Sequence, residues 1–197
     1  RDDGSLGLFL VEAGACGITI DDMETIDGRP AGDIKLDGTP AQALGADTDS
    51  GEMLDRVLDV ATTALCAESM AIISALNRAT LEFVKTRKQF GKSIGEFQVV
   101  QHRLVDMMTM EQEGWAIVRC AQQSLDDDIE DAWRIVSAAK ARVDSIARFV
   151  GEQSIQLHGG IGMSDELMVG DFVKRLMFNM TELGDKRWHL HRLGRGL

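Results

Sequence analysis

The sequence predicts an α+β chain, with part of an antiparallel β-domain followed by an antiparallel α-helical bundle. Residues 4–45 hold short apolar runs broken by glycines, with no helical period between them. From about Ser50 onward the apolar residues recur at three- and four-residue steps. That second pattern continues through three long amphipathic runs joined by short connections, which reads as a bundle. Two regions follow, residues 1–48 and 49–197.

In the first region Leu6, Leu8 and Leu10 alternate with Gly7 and Phe9, and Gly14 and Gly17 break the run. Ile18 and Ile20, Thr25 and Ile26, then Ile34 and Leu36 make further short strands. Gly28, Pro30, Gly32 and Gly38 stand between them as turn residues. A small antiparallel sheet is expected. In the second region Leu54, Val57, Leu58, Ala61, Leu65, Ile72, Leu76, Ala79 and Phe83 mark a helix of some 35 residues, with Ser50 as its N-cap. At 1.5 Å per residue that helix spans roughly 50 Å, a length normal in a bundle. Gly91 and Gly95 end the pattern, and a second helix starts at Phe97 and runs through Val100, Leu104, Met107, Trp115 and Val118. The acidic run Asp126–Asp128 suits a helix N-terminus. Trp133, Val136, Val143, Ile146 and Val150 mark a third helix that ends before His158-Gly159-Gly160. Shorter helices are expected near 165–178 and 184–193.

Composition narrows the function classes. A chain of 197 residues, 44% apolar, can bury a sizeable core. Its formal charge of −11 repels phosphate backbones and argues against a nucleic-acid partner. The charge is uneven: residues 1–60 carry 14 acids against 4 bases, and residues 61–197 carry 18 against 17. The second region is therefore able to receive an anion. No apolar stretch reaches the roughly 20 residues a bilayer demands, so no membrane span is expected. Cys16, Cys66 and Cys120 have no metal or redox spacing and read as buried or half-buried thiols of a reducing, cytoplasmic protein. His189 and His191, two apart, fall on different helix faces, so no metal site is expected. Arg1 opens close to a strand-like run, as though the chain were entered mid-fold.

Two stretches carry the chemistry. Arg87-Lys88-Gln89-Phe90-Gly91 leads to Phe97-Gln98 at a helix–helix turn. Arginine offers a planar fork to a pyrophosphate, and glycine lets backbone approach closely, although from the residues alone a basic capping turn is the plainer reading. Gln156-Leu157-His158-Gly159-Gly160-Ile161-Gly162 has glycines like those of a phosphate-cradling loop. No strand precedes them, so a Rossmann motif fails and a sharp turn between helices is the plainer reading. His158 either touches a ligand or caps the turn.

Taken together, Arg-x-Gln-Phe-Gly, Phe-Gln and a later Gln-x-x-Gly-Gly-x-Gly resemble the acyl-CoA dehydrogenase family over essentially the whole chain. The resemblance assigns 4–45 to the latter part of that family's middle β-domain and 50–197 to its C-terminal helical domain. It implies FAD as cofactor, usually the FAD of a neighbouring subunit. Arg87, Gln89, Phe90, Phe97, Gln98, Gln156, Gly159 and Gly160 stand at the implied contacts. It also implies α,β-dehydrogenation of an acyl-CoA thioester, a glutamate removing the α-proton, a tetramer of like or unlike subunits and an electron-transfer acceptor. An acyl-CoA oxidase would keep the same fold.

The sequence departs from the family at the base. Counting from Gly159-Gly160, the glutamate's place falls on Leu183, one residue after Glu182. On a helix one residue is a rotation of about 100°, although a one-residue bulge would return Glu182 to register. The alternative place on the first long helix is Ala61, with Asp59, read as a surface residue, two positions away. No catalytic residue is assigned. The resemblance then implies a subunit without its own base, which lends FAD contacts and structure to an unlike partner. The run Gly-Ile-Gly-Met-Ser-Asp-Glu-Leu is similar to paired bacterial subunits of steroid side-chain degradation.

Overall fold

A computed structural model describes residues 6–44, 50–164 and 167–195. They fall in two compact units, Arg1–Leu58 and Asp59–Leu197.

In the first unit β1 (Leu8–Leu10) pairs antiparallel with β4 (Gln42–Leu44), with Leu8 opposite Leu44. Separately, β2 (Ile18–Glu24) pairs antiparallel with β3 (Pro30–Leu36), with Ile18 opposite Leu36 and Ile20 opposite Ile34. The expected single sheet is thus two ribbons of two strands. Gly17 turns at φ 82°, where a Cβ would lie 2.1 Å from the Asp37 carbonyl oxygen. That turn admits glycine alone.

Helix α1 (Gly51–Thr86) runs from the first unit into the second. It is followed by α2 (Gln98–Asp126), α3 (Ala132–His158), α4 (Val169–Asn179) and α5 (Lys186–Gly194). The core of the bundle joins Met70, Ile73 and Leu76 of α1 with Met107 and Val118 of α2. Val143, Ile146 and Val150 of α3 and Leu176 of α4 complete it. Long-range polar contacts then fix which helices meet. Arg175 of α4 forks onto Glu68 of α1 at 2.7 and 2.9 Å. Glu111 of α2 accepts from Ser74 and Asn77 of α1.

Three sequence expectations are corrected here. By length and composition α1 could cross a membrane, contrary to the reading of its apolar runs. It packs as a core helix, and core helices pass the same test. Cys16 and Cys120 are exposed and only Cys66 is buried, where burial pushes its thiol up to about 12. The acidic run ends α2 instead of starting α3: Asp126 is the last residue of α2, and Asp128 turns the chain at φ 53°.

Lys140 is fully buried on α3 and holds Asp144, one turn later, at 2.8 and 2.9 Å. Burial raises the Asp144 carboxyl to about 6, and the Lys140 ammonium partly offsets that rise. Removing the ammonium alone strands a buried carboxylate. Lys140→Ala should cost about 3–5 kcal/mol in urea unfolding at neutral pH, and replacing both residues with Met and Leu should recover most of it.

Candidate functional site

The first stretch forms a small rigid hairpin at the end of α1. Strand β5 (Lys88–Gln89) pairs antiparallel with β6 (Lys92–Ser93), leaving Phe90-Gly91 as a two-residue turn. Both turn residues have positive φ, 54° and 79°, as a type I′ hairpin turn requires. Phenylalanine is a poor choice there, since a side chain in that conformation costs about 1–2 kcal/mol. Yet Phe90 is also 92% exposed. A strained, solvent-facing aromatic points to a use for its ring.

The hairpin is tied back to α1. Ser93 Oγ donates to the Val84 carbonyl at 2.7 Å, and the Ile94 N–H donates to the Arg87 carbonyl at 2.9 Å. Ser93 and Glu96 complete a capping box ahead of α2. Phe97 packs edge-on to Phe90 at 6.2 Å and lies under the Lys92 ammonium at 4.3 Å. Gln89 and Gln98 are exposed. Arg87 is exposed too, and its guanidinium makes no hydrogen bond or ion pair among the described residues. The arginines at 142, 175 and 192 are all held by carboxylates.

The glycine stretch forms a 3₁₀ turn, Gly159–Met163, where α3 stops. Gly159 turns at φ 67°, and a Cβ at Gly159 or Gly160 would meet nothing within 4 Å. Gly162 is glycine for packing, because its Cβ would sit 2.9 Å from His158 Cβ. Open backbone at 159–160, beside the exposed Gln156, can approach a ligand closely. The two stretches meet through their helices. Phe83, whose carbonyl accepts from the Arg87 N–H, stacks on His158, the residue before Gly159, at 4.3 Å and 29°. An unpaired cation, exposed amides and bare backbone at one corner suit an anionic, pyrophosphate-like group.

Where an acid is expected, the chain holds a turn. Residues 180–185 link α4 to α5, so Glu182 and Leu183 do not share a helix and the rotation argument does not apply. Leu183, half-buried, turns at φ 56°, followed by Gly184 at 94°. His189 Nε2–H donates to the Leu183 carbonyl at 3.1 Å. Asp59 is also corrected: it is buried and paired with Arg192 at 2.6 Å, not a surface residue. Arg192 in turn lies over the Trp133 and Trp188 rings. That carboxylate is already committed. Sequence reasoning missed this pair and the Phe83–His158 stack, since both join residues far apart in the chain. The Lys140–Asp144 pair also went unread, although its i,i+4 spacing was a signal that could have found it.

Bundle, hairpin and glycine turn together make up one helical domain. Residues 52–197 match the family described as acyl-CoA dehydrogenase, C-terminal domain, and the chain belongs to the acyl-CoA dehydrogenase family. Acyl-CoA dehydrogenase IpdE2 of Mycolicibacterium smegmatis is 30% identical, across 91% of this chain and 56% of its own. A variant of the Tcur3481-Tcur3483 steroid ACAD superposes with a TM-score of 0.88 at 33% identity, across 96% of this chain and 51% of that one. PigA with FAD and proline shares the fold, with a TM-score of 0.88 at 24% identity, across 96% and 51%. This chain spans about half the length of the relatives it matches.

Burial also sets a pH dependence. Buried His189 is kept neutral, its pKa lowered from 6.5 to about 4. Between those values the unfolded chain binds the extra proton, so this contribution to stability is whole above 6.5 and falls as pH drops toward 4. His189→Gln removes the penalty. Measured against the parent by urea unfolding, the variant should gain about 3 kcal/mol in relative stability between pH 7 and pH 4.

Proposed function

We propose that this chain is the C-terminal half of a subunit of an FAD-dependent acyl-CoA dehydrogenase that desaturates an acyl-CoA thioester at the α,β bond. The observation that carries the reading is the exposed Arg87, whose guanidinium has no partner among the described residues, four residues after the Phe83 that stacks on His158 ahead of the open Gly159-Gly160 backbone. Arg87 would fork onto the FAD pyrophosphate, with bare backbone at 159–160 and the Gln156 amide alongside. Phe90, Phe97, Gln89 and Gln98 would receive the adenosine portion, the exposed Phe90 ring serving as a stacking surface. FAD, when bound, supplies the acceptor for the substrate's β-hydride.

In this reading the subunit lends contacts and not the base, Glu182 standing one residue short of the counted place. Leu183 and Ala61 bear no group that takes a proton, and Asp59 is spent on Arg192. The α-proton then falls to a glutamate of an unlike partner subunit in a heterotetramer, and electrons leave to an electron-transfer acceptor. The similarity to a steroid ACAD supports a steroid side-chain thioester as substrate. A reducing, cytoplasmic setting suits the exposed Cys16 and Cys120 thiols.

Three experiments test the reading. Arg87→Ala in the full-length protein should weaken FAD binding by about 2–5 kcal/mol, and unchanged flavin retention would remove the assignment. Gly160→Ala has room to fold normally, so it should keep the parent's melting temperature while losing FAD affinity. Acyl-CoA turnover with an artificial acceptor should be absent for this subunit alone and appear when its unlike partner is added. Turnover by this subunit alone would mean that it carries a base.

A further inference from the structure

Given the FAD reading of the corner, we infer that His158 is a positioning residue. Its ring, stacked on Phe83, sets the separation between the Arg87 guanidinium and the Gly159-Gly160 backbone, and with it the fit to a nucleotide pyrophosphate. Each half of the corner is a rigid extension of one helix. On the α1 side the Arg87 N–H bonds to the Phe83 carbonyl, and Ser93 Oγ clamps the hairpin onto Val84. On the α3 side Gly159 follows His158 directly.

His158 cannot shift alone. Its ring is buried, and because a carbonyl can only accept, Nδ1 carries the hydrogen that it gives to Ser154 at 2.8 Å. Gly162 packs back against its Cβ, leaving no space for a side chain at 162. The ring is therefore held by α3 behind it and by the glycine turn beside it. Its remaining face meets Phe83, 4.3 Å away and near-parallel. A change in that contact moves two otherwise rigid pieces relative to each other. His158 itself is buried, and its role in this inference is to position the groups on either side of it.

A buried aromatic pair could also serve stability alone, so the test must separate the two roles. FAD affinity of flavin-free, full-length protein would be read by fluorescence quenching, alongside melting temperature. His158→Ala should weaken FAD binding about tenfold, near the upper worth of an aromatic pair. Phe83→Leu, which leaves the glycine turn untouched, should do the same. His158→Phe restores a ring without Nδ1 and should bind FAD within about threefold of the parent. In Arg87→Ala/His158→Ala the two losses should sum to less than additive, because a misplaced arginine has already lost its grip.

If His158→Ala and Phe83→Leu lower the melting temperature yet bind FAD like the parent, while Arg87→Ala does not, the stack is structural only. His158→Phe binding as weakly as His158→Ala would equally overturn the role of the ring. Should His158→Ala fail to fold, Phe83→Leu and His158→Phe decide alone. If Arg87→Ala also leaves FAD binding unchanged, the fault lies in the FAD assignment of the corner and not in the stack.

Discussion

Helix α3 is surrounded, and the other helices of the bundle are arranged to meet its demands. Fourteen of its 27 residues are buried, among them Lys140 and Asp144, so it needs partners on several sides and an internal answer for its charges. The answer is local: one turn separates ammonium from carboxylate, and each would be costly to bury without the other. With the charges matched, the apolar residues Val143, Ile146 and Val150 can face α1, α2 and α4 without opening the interior to water. Arg142 reaches outward to Glu113 of α2, so even the exposed edge of α3 is tied down.

The corner built at one end of α3 follows from that rigidity. In the proposed FAD reading the pyrophosphate carries its charges at fixed spacing, so the groups that would meet it must be placed before it arrives. The hairpin after α1 achieves this through backbone and hydroxyl bonds to Val84 and Arg87, and the glycine turn through its packing on His158. Phe90 sits in a backbone conformation that phenylalanine disfavours and keeps its ring in solvent. Burial elsewhere in the bundle tolerates this local cost, which ordinary packing would remove.

A different part of the bundle holds the turn where the family's acid was counted. The turn between α4 and α5 is as well defined as the corner, with Leu183 and Gly184 both at positive φ and the Leu183 carbonyl held by His189. Asp59, an acid near the alternative position, is drawn into the Arg192 pair between two tryptophans. Carboxylates near the site act here as structure.

Much of this was readable from the chain alone. Apolar spacing located the three long helices, and the glycines at 159, 160 and 91 marked turns because a positive φ or an open backbone is a property of single residues. Arg87, Gln89 and Phe90 were legible as a set because they are adjacent. Position 183 could be counted, but not its backbone, since a turn and a helix can share the same few residues. Tertiary structure alone decided that the strands form two ribbons, that Asp59 is buried, and that Phe83 meets His158. Each of those depends on pairing between residues that local spacing does not link, from 6 to 133 positions apart. Local spacing carries periodicity and charge, and it carries no information about which surfaces the chain later brings into contact.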